Sequence, residues 1–95
     1  MASYNILLVS YDLIKEESSE DYKALIDKIK SYGSWAKPLE SFWLIKTEKS
    51  ASEMRDELRS VTDSNDEIVV LNVTGDNWAT FGISKEVTDW MHQNL

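Results

Sequence analysis

Residues 4–12, YNILLVSYD, decide how the rest of the chain is read. The stretch is short, strongly apolar at its centre and bounded by polar residues, which predicts a strand over Tyr4–Asp12. Side chains alternate across a strand, so Ile6 and Leu8 would face one side of a sheet and Leu7 and Val9 the other. Neither set is polar. The same holds for SFWLIKT at Ser41–Thr47, where Phe42 and Leu44 oppose Trp43 and Ile45. It holds again for EIVVLNV at Glu67–Val73, where Ile68 and Val70 oppose Val69 and Leu71. A sheet with one wet face alternates apolar and polar residues. Three strands that are apolar on both faces need cover on both, because so large a bare patch exceeds what a monomer usually exposes. The pattern predicts a homodimer through the sheet face, with a C-terminal helix helping. Cover by that helix alone is the alternative.

The intervening segments supply the other elements. A charged loop is expected over Leu13–Ser19. A helix from about Glu20 to Tyr32 follows from the three-and-four spacing of Tyr22, Leu25, Ile26, Ile29 and Tyr32. Ser18 or Ser19 can cap its start, Glu20 and Asp21 suit the positive end of its dipole, and Gly33 stands where a C-terminal cap belongs. Trp35–Leu39 reads as a strand, and Pro38, which has no N–H to donate, puts it at a sheet edge. Ser50-Ala-Ser-Glu53 is a capping box that opens a helix with Ala51, Met54, Leu58 and Val61 on one face. Turns are expected at Asp63–Asp66 and Thr74–Asn77, and Trp78–Phe81 reads as irregular or a short strand. Ser84 caps a last helix with Val87, Trp90, Met91 and Leu95 inward.

The order β-α-β-β-α-β, then a tail and a helix, predicts an α+β, ferredoxin-like fold. It would be a four-stranded antiparallel sheet with two helices on one face, a short C-terminal strand or loop and a third helix. The first and last strands would be central. One domain spans residues 1–95, with its core at about 4–73 and a C-terminal extension at about 74–95.

Ninety-five residues suffice for one modest core and not for two. The chain has no Cys, which excludes disulfides, thiolate nucleophiles and Cys-ligated zinc. It has one His, so no site can draw two histidines from one copy. No apolar run is long enough to span a membrane, and the N-terminus lacks the basic and apolar regions of a signal peptide. A cytoplasmic location without membrane contact is expected. The net charge of −7 repels polyanions, so RNA or DNA binding needs a local basic patch or bridging metal ions.

Asp12 is the leading candidate for chemistry. If the protein dimerises face to face, two copies of this strand-end carboxylate can approach and bind a hard cation such as Mg²⁺. The bland reading is a side chain that caps the following turn. His92, late in the last helix, can be a general base or simply a residue suited to the negative helix end. Thr74-Gly-Asp-Asn77 can hold a phosphate or be a plain turn. Ser10 and Ser41 lack the setting of a nucleophile elbow. The four Trp, with Phe42 and Phe81, suit base stacking only if basic residues lie between them, and Lys37 and Lys46 are the nearby candidates. Packing in the core or an interface is the alternative, with Trp78, which follows a polar turn, as the exception to watch.

Tyr11-Asp12-Leu13 at a strand end, Tyr32-Gly33 at a helix end and Ser41-Phe42-Trp43 opening a strand resemble a known family. It is the small CRISPR-associated protein of spacer acquisition, commonly called Cas two. Its diverged SinR-labelled relatives and virulence-associated protein D are similar. The resemblance covers about residues 4–73. It implies a ferredoxin-like face-to-face dimer in which Asp12 binds the metal, with Tyr11 as its catalytic neighbour. The implied activity is Mg²⁺-dependent endonucleolytic hydrolysis of RNA or DNA around paired Asp12. Some members of the family are non-catalytic scaffolds, so a protein-interaction or regulatory module is the alternative. The chain departs from the family pattern at Leu39, where Gln is usual, and at Glu16 and Glu17, where the loop is usually basic.

Overall fold

The apolar strands find one another in a single antiparallel sheet. The computed structural model describes residues 3–12, 19–62 and 66–95. Its elements are β1 (Asn5–Asp12), α1 (Ser19–Lys30), β2 (Ser34–Leu39), β3 (Phe42–Thr47), α2 (Ala51–Arg59), β4 (Glu67–Asn72) and α3 (Lys85–Asn94). The expected loop at 13–18, the turn residues 63–65 and the side chains of Ser19, Glu20, Asp21 and Tyr22 fall outside the described residues.

Local chemistry sets the element ends. α1 gives way to a turn, and Gly33 at φ 99° takes the left-handed conformation that only glycine adopts without strain. At α2 both halves of the capping box form: Ser50 Oγ accepts from the Glu53 N–H at 3.2 Å, and Glu53 Oε1 accepts from the Ser50 N–H at 3.0 Å. Ser84 Oγ accepts from the Val87 N–H and starts α3. Trp78–Phe81 forms no strand, and the Phe81 ring is fully exposed.

The sheet order is β2-β3-β1-β4, with every pairing antiparallel. One expectation is corrected. β1 and β3 are central, and β4, the last strand, is an edge. β3 takes the inner place because it contains no proline and buries Trp43, Leu44 and Ile45, side chains of both faces. β2 is kept to the other edge, as Pro38 requires, and its register breaks between Ala36 and Leu39.

Two apolar clusters flank the sheet. On one side Leu7, Val9, Trp43 and Ile45 pack against Leu25 and Ile29 of α1 and Met54 and Leu58 of α2, all essentially without solvent contact. Polar groups at Glu57 of α2 tie it to the turn after α1 and to the segment ahead of α2. Tyr32 Oη donates to Glu57 Oε1 at 2.6 Å, and Lys49 Nζ stands 2.9 Å from Glu57 Oε2. These bonds hold the Glu57 carboxyl below its ordinary range, while burial, aided by Glu57, pushes the Tyr32 phenol up. On the other side α3 and Trp78 cover Ile6 and Leu44, with Met91 buried between. The cover stops there. On β4 the outward Val69 and Leu71 remain 53% and 52% exposed. Among the described residues no helix is long and apolar enough to cross a membrane.

Candidate functional site

The bare end of the tail-side face carries a group of polar residues. β1 reaches it through Ser10 and Asp12, which continue the side-chain alternation of Ile6 and Leu8. β4 enters from the same end, and the register sets Ser10 opposite Val69 and Asp12 opposite Glu67. The turn between β2 and β3 adds Ser41. Ser10, Tyr11, Asp12, Ser41, Glu67 and Val69 line a cleft of about 380 Å³.

Two carboxylates therefore stand directly opposite each other on neighbouring strands, both exposed. Like charges in that position oppose strand pairing. A divalent cation relieves the repulsion, and carboxylate and hydroxyl oxygens are the hard donors that Mg²⁺ takes. By its donor chemistry the set Asp12, Glu67, Ser10 and Ser41 fits such an ion. Glu67 was missed in the sequence because strand pairing, not spacing along the chain, brings it to Asp12. Its one sequence signal is an acidic residue opening an otherwise apolar strand.

Tyr11 is placed differently. Its ring packs against the helix-side cluster, and its hydroxyl accepts from Trp43 Nε1 at 3.3 Å. The chain lines the cleft at Tyr11, yet the phenol is engaged on the opposite side of the sheet from Asp12. A Tyr11 role at Asp12 is thus one of holding β1 in place.

The other candidates lie apart from the cleft. His92 is exposed on α3 and packs its ring on Trp78, with centroids 4.9 Å apart. Thr74 is used by the fold: its hydroxyl accepts from the Ile6 N–H at 2.8 Å and donates to Asn72 Oδ1 at 2.6 Å. Trp43 is buried and meets Trp35 edge-on at 5.2 Å. Trp35, Trp78 and Trp90 are half-buried, and Trp90 Nε1 donates to Ser34 Oγ at 3.2 Å. Lys37 sits over Trp43 and Lys46 over Tyr4, so both lysines lie against rings of this chain.

Larger clefts lie elsewhere among the described residues. One of about 530 Å³ lies beside Arg55 and Arg59, where Asp56 and Asp66 offset the guanidinium charge. One of about 510 Å³ lies between β2 and α3, beside Trp35 and Trp90. Among the described residues no group of three or more His, Asp or Glu gathers as a metal cluster. No family model matches the chain, and no solved structure matches it.

Proposed function

We propose that this protein is a ferredoxin-like homodimer of the Cas two kind that works as a protein-association module. Its working surface is the uncovered β1–β4 side of the sheet. The observation that carries this reading is the half-covered tail face, where Val69 and Leu71 stay more than half exposed beside the closed cluster of Ile6, Leu44 and Met91. The strand order and the two helices on one side fit the ferredoxin-like arrangement. The occupant is a second copy. Two copies that meet antiparallel keep their Asp12–Glu67 pairs at opposite ends of the contact, with Asp76 at the other end of each β4. The acidic surface, at net −7, suits a module for proteins better than one for nucleic acid. Light scattering after size exclusion tests this, with a mass near twice 10.9 kDa expected. A monomer at all concentrations overturns it.

A second reading, favoured by the Asp12–Glu67 pairing, is a Mg²⁺-dependent endonuclease. A bound Mg²⁺ polarises a phosphodiester and makes a nucleophile of water. Asp12 and Glu67 would hold the ion, Ser10 and Ser41 would orient groups beside it, and Tyr11 would fix the strand. The test incubates single-stranded RNA and double-stranded DNA with Mg²⁺, Mn²⁺ or EDTA, comparing the protein with Asp12→Ala and Glu67→Ala. Metal-dependent cutting lost in both variants establishes the enzyme. No cutting, or cutting that Asp12→Ala retains, leaves the association module alone.

A further inference from the structure

The two edges of the sheet are unlike. β2 carries Pro38 and a break in register, features that discourage a further strand. β4 contains no Pro, Gly or Lys, and its only charge is Glu67 at its start. Among the described residues no strand pairs with its outer side.

The hydrogen bonds also fix which groups that edge offers. The Val73 N–H donates to the Ile6 carbonyl at 2.9 Å, which marks Ile6 opposite Val73 as a hydrogen-bonded position of the ladder, although the Ile6 N–H itself is taken by Thr74 Oγ1. Such positions recur at every second residue, so Leu71, Val69 and Glu67 turn their backbone groups toward β1. Ile68, Val70 and Asn72 turn theirs outward.

We infer that two copies join through their β4 edges, antiparallel, with Val70 opposite Val70 and Ile68 opposite Asn72 of the other copy. This inference rests on the homodimer reading, and it sets the seam at the β4 edge beside the bare face rather than face to face across it. Among self-pairings of β4, this register puts all three outward residues into mutually bonded pairs at once. It also obeys the rule that residues facing each other in a ladder share one face of the sheet. On the tail side it sets each copy's Val69 against Leu71 of the other, so four exposed apolar side chains meet. Charge permits it. Each Glu67 falls opposite Val73 of the second copy, and the two Glu67 stand roughly 20 Å apart along the seam, at about 3.4 Å per residue. That is well beyond the Debye length of about 8 Å at physiological salt. Each Asp12–Glu67 pair therefore belongs to one subunit, and a cation held there is held by that subunit alone.

The absence of cysteine permits a clean test. Val69→Cys and Leu71→Cys proteins are mixed under a mild oxidant, and the disulfide-linked dimers are identified by mass spectrometry of their peptides. Facing residues that are not mutually bonded have Cα atoms about 4.5 Å apart, within the range a disulfide spans. The seam predicts that the 69–71 link forms at least tenfold faster than the 69–69 or 71–71 links. Val70→Pro, which removes an outward N–H and no bond to β1, should raise the dimer dissociation constant at least tenfold. Its circular dichroism, compared with the wild type, shows whether the fold is kept. Dominant 69–69 or 71–71 links, or a dimer without links at these positions, overturn the seam while the dimer stands. A protein that stays monomeric overturns both.

Discussion

The two faces of one sheet differ in what covers them. On the helix side α1 and α2 close over Leu7, Val9, Trp43 and Ile45, and the cluster is sealed. On the tail side α3 covers Ile6 and Leu44 and leaves Val69 and Leu71 bare. The centres of the strands are apolar on both faces, and the charged Asp12, Lys46 and Glu67 lie on the tail side, so strand composition explains only part of the contrast. Cover explains the rest: two helices fill one face, while α3, of ten residues, lies against the β2 side of the other. An apolar surface left open beside a packed one is where association is expected.

The contrast can be broken most severely from the sealed side. Trp43→Ala should cost about 3–5 kcal/mol, since a large ring with 1% exposure leaves a cavity its neighbours cannot fill. For a domain holding about 5–15 kcal/mol in all, that is a large share of its stability. Urea unfolding measures it, and a loss below about 1 kcal/mol would mean that the helix-side core is looser than described.

Met91→Ala should cost less, about 2 kcal/mol, because most of its neighbours are only half-buried. Hydrogen exchange should show α3 opening while the α1 and α2 amides stay protected. Uniform loss of protection across all three helices would make the two faces one cooperative unit.

A smaller effect belongs to Glu57, whose carboxyl is held low by Tyr32 and Lys49. A depressed carboxyl contributes stability that is complete above its unfolded pKa, about 4.3. That contribution is lost as pH falls through the lower folded value. Between about pH 5 and pH 3 the wild type should therefore lose more melting temperature than Glu57→Gln. The difference should correspond to about 1 kcal/mol or less, because the group is still partly in solvent and its charge is screened. Equal losses would show that this link of α2 to the turn after α1 adds nothing.

The smallest expected change sharpens the reading of the bare end. Asp12→Asn should stabilise the protein by a few tenths of a kcal/mol, because it relieves repulsion from Glu67. It should also abolish any rise in melting temperature produced by Mg²⁺. A loss of about 1 kcal/mol instead would identify Asp12 as a cap of its own turn.

Much of the fold was legible because its signals are local. The Ser50–Glu53 box, the Ser84 cap, Gly33 and the edge position of Pro38 act within a few residues and appear where the sequence placed them. The order of the strands did not follow from local rules. The sequence suggested a central β4, and only the pairing of β3 with β1 put β4 at the edge. Of the candidate site, Asp12 could be named from its place at a strand end, while Glu67 could not. Tyr11, its neighbour in sequence, turns to the other face, since adjacent residues in a strand point opposite ways.

The sequence by itself determined the elements and their caps. It also determined that both faces of the sheet are apolar, because those properties reside in single residues and short periods. The tertiary structure alone decided which edge stayed open, how far α3 reaches and which carboxylate faces Asp12. Those depend on long-range register and on the geometry of cover, which no short window of sequence contains.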